Sequence, residues 1–177
     1  MASDRYVIKK DNIGLRPITE GDTDNIIRWR NSREVMDNFI DRTPLTREVH
    51  LNWLENKVKT GKVAQYIICI LEDNKETEIG STYFRDIDHE KHEAEFGIFI
   101  SHEYTGKGYG TKVLDLMKQT GFNTMNFEKI SLRVLKDNIP AIRSYEKNGF
   151  TVTGDEEYFY VGDEKKTVMF MECSSEE

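Results

Sequence analysis

HEYTGKGYGTKVL, residues 102–114, is the stretch that decides the fold of this 177-residue chain. Three of the 12 glycines, Gly106, Gly108 and Gly110, lie here between an apolar run, FGIFI (residues 96–100), and a segment with helical spacing. Glycine is costly inside regular structure, so the cluster indicates an awkward turn or a backbone that approaches a ligand. Where a strand leads through a glycine loop into a helix, the backbone amides of the loop and of the first helical turn point toward the same site. The stretch therefore favours phosphate binding over a plain connection.

Two common phosphate-binding loops do not fit this stretch. A dinucleotide-binding loop follows its strand directly and needs an acid at the end of the next strand. Here the polar SHEY (residues 101–104) intervenes, and only Asp137 lies near the required place. A Walker loop ends in Gly-Lys-Ser/Thr, which this run lacks. Some other phosphate-bearing ligand is needed.

Strand and helix patterns alternate on both sides of the glycine loop. GLRPIT (residues 14–19) is the first predicted strand, and Thr19 with Asp22 predicts a capping box before the first helix. Two helices and three strands then lead to the loop, and a helix, a strand, a helix and two strands follow it. This order predicts a mixed α/β (α+β) fold with a mostly antiparallel mixed sheet of about seven strands and about four flanking helices. We expect one domain, residues 1–177, with frayed ends at 1–12 and 174–177.

Burial can be predicted for two of these elements. EAEFGIFIS (residues 93–101) places Ala94, Phe96, Ile98 and Ile100 on one face of a strand, with Glu95, Gly97 and Phe99 on the other. The second helix, REVHLNWLENKVKTG (residues 47–61), is expected to bury Val49, Trp53, Leu54 and Val58.

The composition excludes some classes of function. A formal net charge of −7 disfavours nucleic acid as a partner. The chain has no apolar run long enough for a membrane span and no signal-like start, so we expect a cytoplasmic protein without a membrane partner. Cys69 and Cys173 are expected to be buried free thiols. His89 and His92 lie in a polar turn with no evident third ligand, so no metal is expected.

A second motif lies downstream, in KDNIPAIRSYEKNGF (residues 136–150). Asn138, Ala141 and Tyr145 are spaced i, i+3 and i+7, so they share one face of the predicted helix. A small residue between an amide and a phenol forms a groove with two polar groups. By itself, Tyr145 would more simply be a core aromatic residue.

Together, the two motifs resemble the acetyl-CoA-binding core of the GNAT acetyltransferase superfamily. The family's later motif, Asn-x-x-Ala-x-x-x-Tyr-x-Lys-x-Gly-Phe, matches at Asn138, Ala141, Tyr145, Lys147, Gly149 and Phe150. Its glycine motif, Arg/Gln-x-x-Gly-x-Gly/Ala, matches at Gly108 and Gly110, but Thr105 occupies the Arg/Gln position. RWRNSREVMDNF (residues 28–39) resembles the branch that contains ribosomal-protein N-terminal, polyamine and nucleotide-linked amino-sugar acetyltransferases.

The resemblance implies acetyl-CoA as co-substrate and direct transfer of the acetyl group to a primary amine. Tyr145 is implied as the general acid. Glu95 is expected either to be the base or to order the substrate or pair with an arginine of the first helices. Backbone amides would contact the pantetheine arm and the pyrophosphate. The implied cofactor residues are Ile98, Phe99, Ile100, Thr105, Gly106, Lys107, Gly108, Tyr109, Gly110, Thr111, Asn138 and Ala141.

The sequence leaves the acceptor open. A small-metabolite amine, either an amino-sugar nucleotide or a polyamine, comes first, ahead of a protein N-terminus and an antibiotic. Arg28, Arg30 and Arg33 would suit a nucleotide diphosphate or simply form a solvated face. A non-catalytic acyl-CoA-binding module is the alternative class; Thr105 favours it and Tyr145 opposes it. The oligomeric state is not fixed, and a homodimer remains open.

Overall fold

The computed structural model describes residues 4–176, and one eight-stranded sheet runs through them in the order β1-β2-β3-β4-β5-β6-β8-β7. All neighbouring strands are antiparallel except β5 and β6. The strands are β1 (Ile8–Lys10), β2 (Ile13–Pro17), β3 (Ala64–Glu72), β4 (Lys75–Asp88), β5 (Glu93–Ile100), β6 (Lys129–Leu135), β7 (Thr151–Val161) and β8 (Glu164–Ser174). The helices are α1 (Thr23–Arg30), α2 (Arg33–Met36), α3 (Arg47–Trp53), α4 (Tyr109–Gln119) and α5 (Ile139–Lys147).

The N-terminal segment differs from its prediction. Residues 8–10 of the segment expected to be frayed form β1, which pairs antiparallel with β2. This short IKK strand shows no alternating pattern, and its order comes from backbone hydrogen bonds to β2 and from Ile8 packing against the core. The expected fraying at 174–177 is likewise wrong at Ser174, which ends β8, and at Ser175, whose amide donates to Glu128. Residues 1–3 and 177 lie outside the described part.

The sheet separates two apolar cores. One lies under α4 and α5 and contains Ala94 and Phe96 of β5; the other lies under α1–α3 and contains Phe99. The two predicted faces of this strand are thus confirmed. Because β5 contributes to both cores, its backbone is fixed from both sides, which suits a strand that must present a site.

The N-terminal helices confirm one local prediction and correct another. The Thr19 amide donates to Asp22 Oδ2 at 2.8 Å, so the predicted capping box is present, although it closes a short 3-10 turn before α1. On α3 the predicted burial of Val49 is wrong: it is 56% exposed, while neighbouring His50 is 2% exposed. His50 occupies the inward position because its Nδ1 lies 3.1 Å from the Thr23 hydroxyl, which gives a buried polar ring one partner.

A gap in the sheet determines where a ligand can enter. β5 pairs with parallel β6 only through Glu93, Ala94 and Glu95. Beyond Glu95 the two strands separate, so residues 96–100 have a sheet neighbour, β4, on one side only. α4 leaves the end of β5 through the glycine loop, and α5 leaves the end of β6. No helix within residues 4–176 is long and apolar enough to cross a membrane.

Candidate functional site

A cavity of about 870 Å³ lies at the gap between β5 and β6 and continues beneath α1–α3. The second half of β5 and the start of α5 form one wall, and the α1–α3 region forms the other. Nine residues expected in the site line this cavity: Glu95, Ile98, Phe99, Ile100, Thr105, Gly110, Asn138, Ala141 and Tyr145. Five others lie on the loop and first turn of α4, outside the lining: Gly106, Lys107, Gly108, Tyr109 and Thr111.

The glycine loop presents unpaired amides to the cavity's edge. Gly106 and Gly108 have φ of +72° and +83°, a left-handed conformation that residues with a Cβ rarely adopt. Gly108 is the N-cap of the 11-residue α4, and Lys112 donates the first hydrogen bond back to its carbonyl, at 3.3 Å. The amides of Tyr109, Gly110 and Thr111 therefore precede the helical ladder. With open space beside Gly106 and Gly108 and the positive end of α4 behind them, this donor set fits a pyrophosphate.

The side chains of the loop contribute less than its backbone. The Thr105 hydroxyl donates to the His102 carbonyl at 2.8 Å and so closes a short 3-10 turn, His102–Tyr104. Lys107 Nζ lies 5.3 Å from the centre of the Tyr104 ring, and the lysine is exposed. Thr105 thus shapes the entrance of the loop instead of extending a long donor toward a phosphate.

The free edge of β5 supplies another set of donors. The Ser101 amide donates to Ile79 in the β4 ladder at 2.7 Å, and backbone groups alternate between the two sides of a strand. This alternation directs the Phe99 amide to β4 and leaves the Ile98 and Ile100 amides facing the gap. The expectation that three consecutive amides face a ligand arm is therefore corrected to two, and Phe99 contributes its ring, which packs on Phe39.

Tyr145 projects from α5 into the cavity with its ring held and its hydroxyl free. The ring packs edge-on against Phe96 at 6.3 Å between centres and is tilted against Phe150 at 6.1 Å. No hydrogen bond to its hydroxyl is found within residues 4–176, and burial raises its pKa, with nearby Tyr83 adding to the effect. The phenol therefore keeps its proton at neutral pH and can donate it. Asn138, two turns earlier, caps α5 by accepting from the Ala141 amide at 3.4 Å.

Glu95 is half-buried and held by two arginines from neighbouring strands. Its Oε1 accepts from Arg85 Nε at 3.0 Å and from Arg133 Nε at 3.1 Å. These partners belong to β4 and β6, because Arg85 lies opposite Glu95 in the ladder; the expected pairing with the first helices is wrong. Burial raises the pKa of Glu95, and the charge and hydrogen bond of Arg85 oppose the rise without cancelling it. Oε2 is free of protein hydrogen bonds in the described chain.

Two further cavity residues lie outside the two motifs: Tyr83, which no sequence pattern indicated, and Arg30, for which the sequence left open an anion-binding role or a solvated face. Tyr83 lies opposite Gly97 in the β4–β5 ladder, and a Cβ at Gly97 would be 2.5 Å from the Tyr83 hydroxyl. The Tyr83 ring thus occupies the space that a side chain at residue 97 would need. Arg30, at the end of α1, lies over the Phe39 ring with its guanidinium carbon 3.5 Å from the ring centre. Only strand register and helix packing bring these residues to the site, and neither is readable from local spacing.

Comparison with known proteins places the chain among acetyltransferases. A family model described as "Acetyltransferase (GNAT) domain" matches residues 12–151. Spermidine N(1)-acetyltransferase of Escherichia coli (strain K12) is 30% identical over 159 residues, covering 89% of this chain and 83% of that protein. Acetyltransferase PseH of Campylobacter jejuni is 25% identical over 135 residues, covering 76% of this chain and 80% of that protein.

Solved structures agree on the fold. The crystal structure of spermidine N-acetyltransferase from Vibrio cholerae in complex with CoA and spermine has a TM-score of 0.84 at 23% identity, covering 93% of this chain and 96% of that one. The mixed fold, the family and the N-acetyltransferase class predicted from the two motifs are confirmed.

Proposed function

Because this chain belongs to the GNAT acetyltransferase family, we propose that it transfers the acetyl group of acetyl-CoA directly to the primary amine of a small metabolite. One observation carries the proposal: the free hydroxyl of Tyr145 and the buried carboxylate of Glu95 line one cavity, along the unpaired edge of β5. Acetyl-CoA would supply an activated thioester acyl group. Every other requirement of the reaction falls to residues of this chain.

The glycine loop and β5 would position the co-substrate. Backbone amides of Tyr109, Gly110 and Thr111, at the positive end of α4, would hold the pyrophosphate without a side-chain charge. The loss of a long side chain at Thr105 is therefore tolerable. The amides of Ile98 and Ile100 face the gap, where they would contact the pantetheine arm and polarise the thioester carbonyl.

Tyr145 would act as the general acid. Its raised pKa means that the hydroxyl stays protonated over the whole range in which an amine can react. A thiolate is a better leaving group once protonated, so a phenol fixed by Phe96 and Phe150 lowers the barrier of its departure.

Glu95 would accept the proton of the incoming ammonium group, directly or through water. Its Oε1 is occupied by Arg85 and Arg133, which fix the carboxylate, and Oε2 remains for the substrate. Burial raises the pKa of Glu95, which makes its carboxylate a stronger base than a solvated glutamate. Arg85 and Arg133 are thus positioning residues.

The test measures free-thiol release from acetyl-CoA against polyamines, amino-sugar nucleotides, amino acids and N-terminal peptides, with calorimetry of CoA binding beside it. Tyr145→Phe should lower kcat about 100-fold or more while leaving the Kd for CoA within about twofold, because the ring packing is kept and only the proton donor is lost. Tyr158→Phe, an exposed tyrosine on β7 outside the cavity, is the matched control.

Two outcomes would contradict the proposal. Full turnover by Tyr145→Phe would show that Tyr145 is not the general acid. CoA binding by the native protein without turnover of any amine would favour the non-catalytic module.

A further inference from the structure

Arg30 is a half-buried cation that forms no ion pair within the described residues. Its Nη2 donates to the Asp41 carbonyl, and its Nη1 is buried with no hydrogen-bond partner. None of the ion pairs found among residues 4–176 involves Arg30, whereas Arg33 and Arg42, which follow it in the chain, both pair with Asp37. The guanidinium carbon instead lies over the centre of the Phe39 ring, which packs edge-on against Phe99 of β5.

A half-buried guanidinium with one buried nitrogen that lacks a hydrogen-bond partner is unfavourable. Arginine does not lose its proton under ordinary conditions, so the cost of desolvation is not relieved by neutralisation. Burial here lowers its pKa, and the charges of Tyr83 and Asp41 oppose this only in part. The Arg30 side chain lines the cavity, and a guanidinium recognises carboxylate and phosphate, which accept its fork of N–H groups.

The charges of the cavity agree with this assignment. Its lining contains three guanidinium groups, those of Arg30, Arg85 and Arg133, and only one half-buried carboxylate, that of Glu95, which already binds two of them. The other two lining carboxylates, Glu34 and Asp41, belong to exposed residues at the rim. Over the whole lining the three guanidinium groups and three carboxylates balance, but the half-buried part holds three guanidinium groups and only the carboxylate of Glu95, which favours an anion there.

We propose that Arg30 forms an anion subsite in the α1–α3 wall of the cavity, where the acceptor would bind. The enzyme would then select a primary amine carried by a molecule with a carboxylate or phosphate group. This inference rests on the proposed function, whose acceptor it narrows. It excludes an unsubstituted polyamine as the preferred acceptor, although the E. coli relative is named for spermidine. The anion on Arg30 and the amine at Glu95 would hold the acceptor at two points.

Ligand binding can be tested without turnover. In protein saturated with CoA, which occupies the loop amides, inorganic phosphate or acetate is added at constant ionic strength. At about ten times Kd, either anion should raise Tm by about 3–6 °C. Arg30→Gln should abolish this rise, whereas Arg28→Gln should keep it, because Arg28 is exposed and does not line the cavity. A rise with only one of the two anions identifies the recognised group. No rise in the native protein, or an equal rise in Arg30→Gln, overturns the subsite.

Turnover provides the second arm, with amines that differ only in the anion. Glucosamine 6-phosphate is compared with glucosamine, alanine with alaninamide, and spermidine is the cationic reference. The anionic member of at least one pair should have kcat/KM about 10- to 100-fold above its neutral partner. Arg30→Gln should remove that advantage and leave the neutral partner within about twofold. Spermidine turned over fastest, or an equal loss on both members of each pair, contradicts the inference.

The two arms separate this inference from the proposed function. If no amine is acetylated but anions stabilise the native protein through Arg30, the transfer proposal fails and the subsite stands. If amines are acetylated without regard to charge, the transfer stands and the subsite fails.

Discussion

Gly108 and Gly110 form a matched pair because they are two residues apart at the same helix start but differ in backbone conformation. Gly108 has φ of +83°, and a Cβ there would meet nothing within 4 Å, so any cost of a side chain comes from the backbone alone. Gly110 is in the first turn of α4 outside the left-handed region, and its Cβ would lie 3.8 Å from Ile100 Cδ1, an ordinary contact.

The two alanine variants should change stability in opposite directions. Gly108→Ala places a Cβ in the left-handed region, at about 1–2 kcal/mol, and the stiffer unfolded chain returns only about 0.4–1 kcal/mol. We expect a net loss of about 1 kcal/mol in the free energy of unfolding. Gly110→Ala lowers the conformational entropy of the unfolded chain, which is the main source of alanine's higher helix propensity, so we expect a gain of about 0.5 kcal/mol.

Coenzyme binding should separate the pair further. If Gly108→Ala relaxes to a right-handed conformation, the loop amides turn away and one or two hydrogen bonds to phosphate are lost, so Kd for CoA should rise about 10- to 100-fold. Gly110→Ala should change it by less than about threefold. Urea unfolding and calorimetry measure both quantities. Equal stability changes in the two variants, or CoA binding that is unaffected by Gly108→Ala, would refute the argument.

The remaining predictions concern the cavity and the buried ion pair. Gly97→Ala should displace the Tyr83 ring, since the new Cβ would be 2.3 Å from Tyr83 Cζ, and should therefore raise KM for the amine. An unchanged KM would contradict this prediction. Glu95→Gln should lower kcat/KM about 100-fold and remove the limb of the pH profile that rises through the raised pKa of Glu95, whereas a change confined to KM would indicate an ordering role. Asp22→Asn should cost about 3–5 kcal/mol of unfolding free energy at pH 7, because Asp22 accepts from buried Arg16 at 2.7 and 2.9 Å. Burial raises the pKa of Asp22, but the hydrogen bonds from Arg16 and Thr19 and the charge of Arg16 outweigh burial, so the pKa is lowered. The stabilisation by Asp22 is therefore present above the ordinary carboxyl pKa and is lost as the pH falls through the lowered pKa. The urea midpoints of the native protein and the Asp22→Asn variant should accordingly converge in acid.

Buried polar groups outside the cavity show how the site is kept in place. Arg16 of β2 binds Asp22 at the start of α1 and also Glu78 of β4, so it joins the helices to the sheet. Asn25 of α1 donates to the other oxygen of Glu78 at 2.9 Å. These contacts fix α1, and with it Arg30, relative to β4 and β5.

Local sequence by itself determined the elements and the loop chemistry. Alternation in EAEFGIFIS specified which residues of β5 face each core, and three glycines before an apolar helical stripe specified an amide-lined turn. The Asn138 cap and the spacing to Tyr145 likewise depend on residues within two helical turns. Such features are readable because backbone conformation and side-chain direction follow from neighbours along the chain.

Tertiary structure decided which of these residues meet. Glu95 faces Arg85 and Arg133 through strand register, and Tyr83 lies over Gly97 for the same reason. Arg30 reaches the cavity wall through tertiary packing, because its guanidinium lies on Phe39, after α2, and Phe39 packs against Phe99 of β5. His50, and not Val49, faces the core, where the Thr23 hydroxyl of another helix contacts its ring. Charge, pKa and exposure depend on groups distant in sequence, so the choice of acceptor depends on contacts that form only when the sheet and helices pack together.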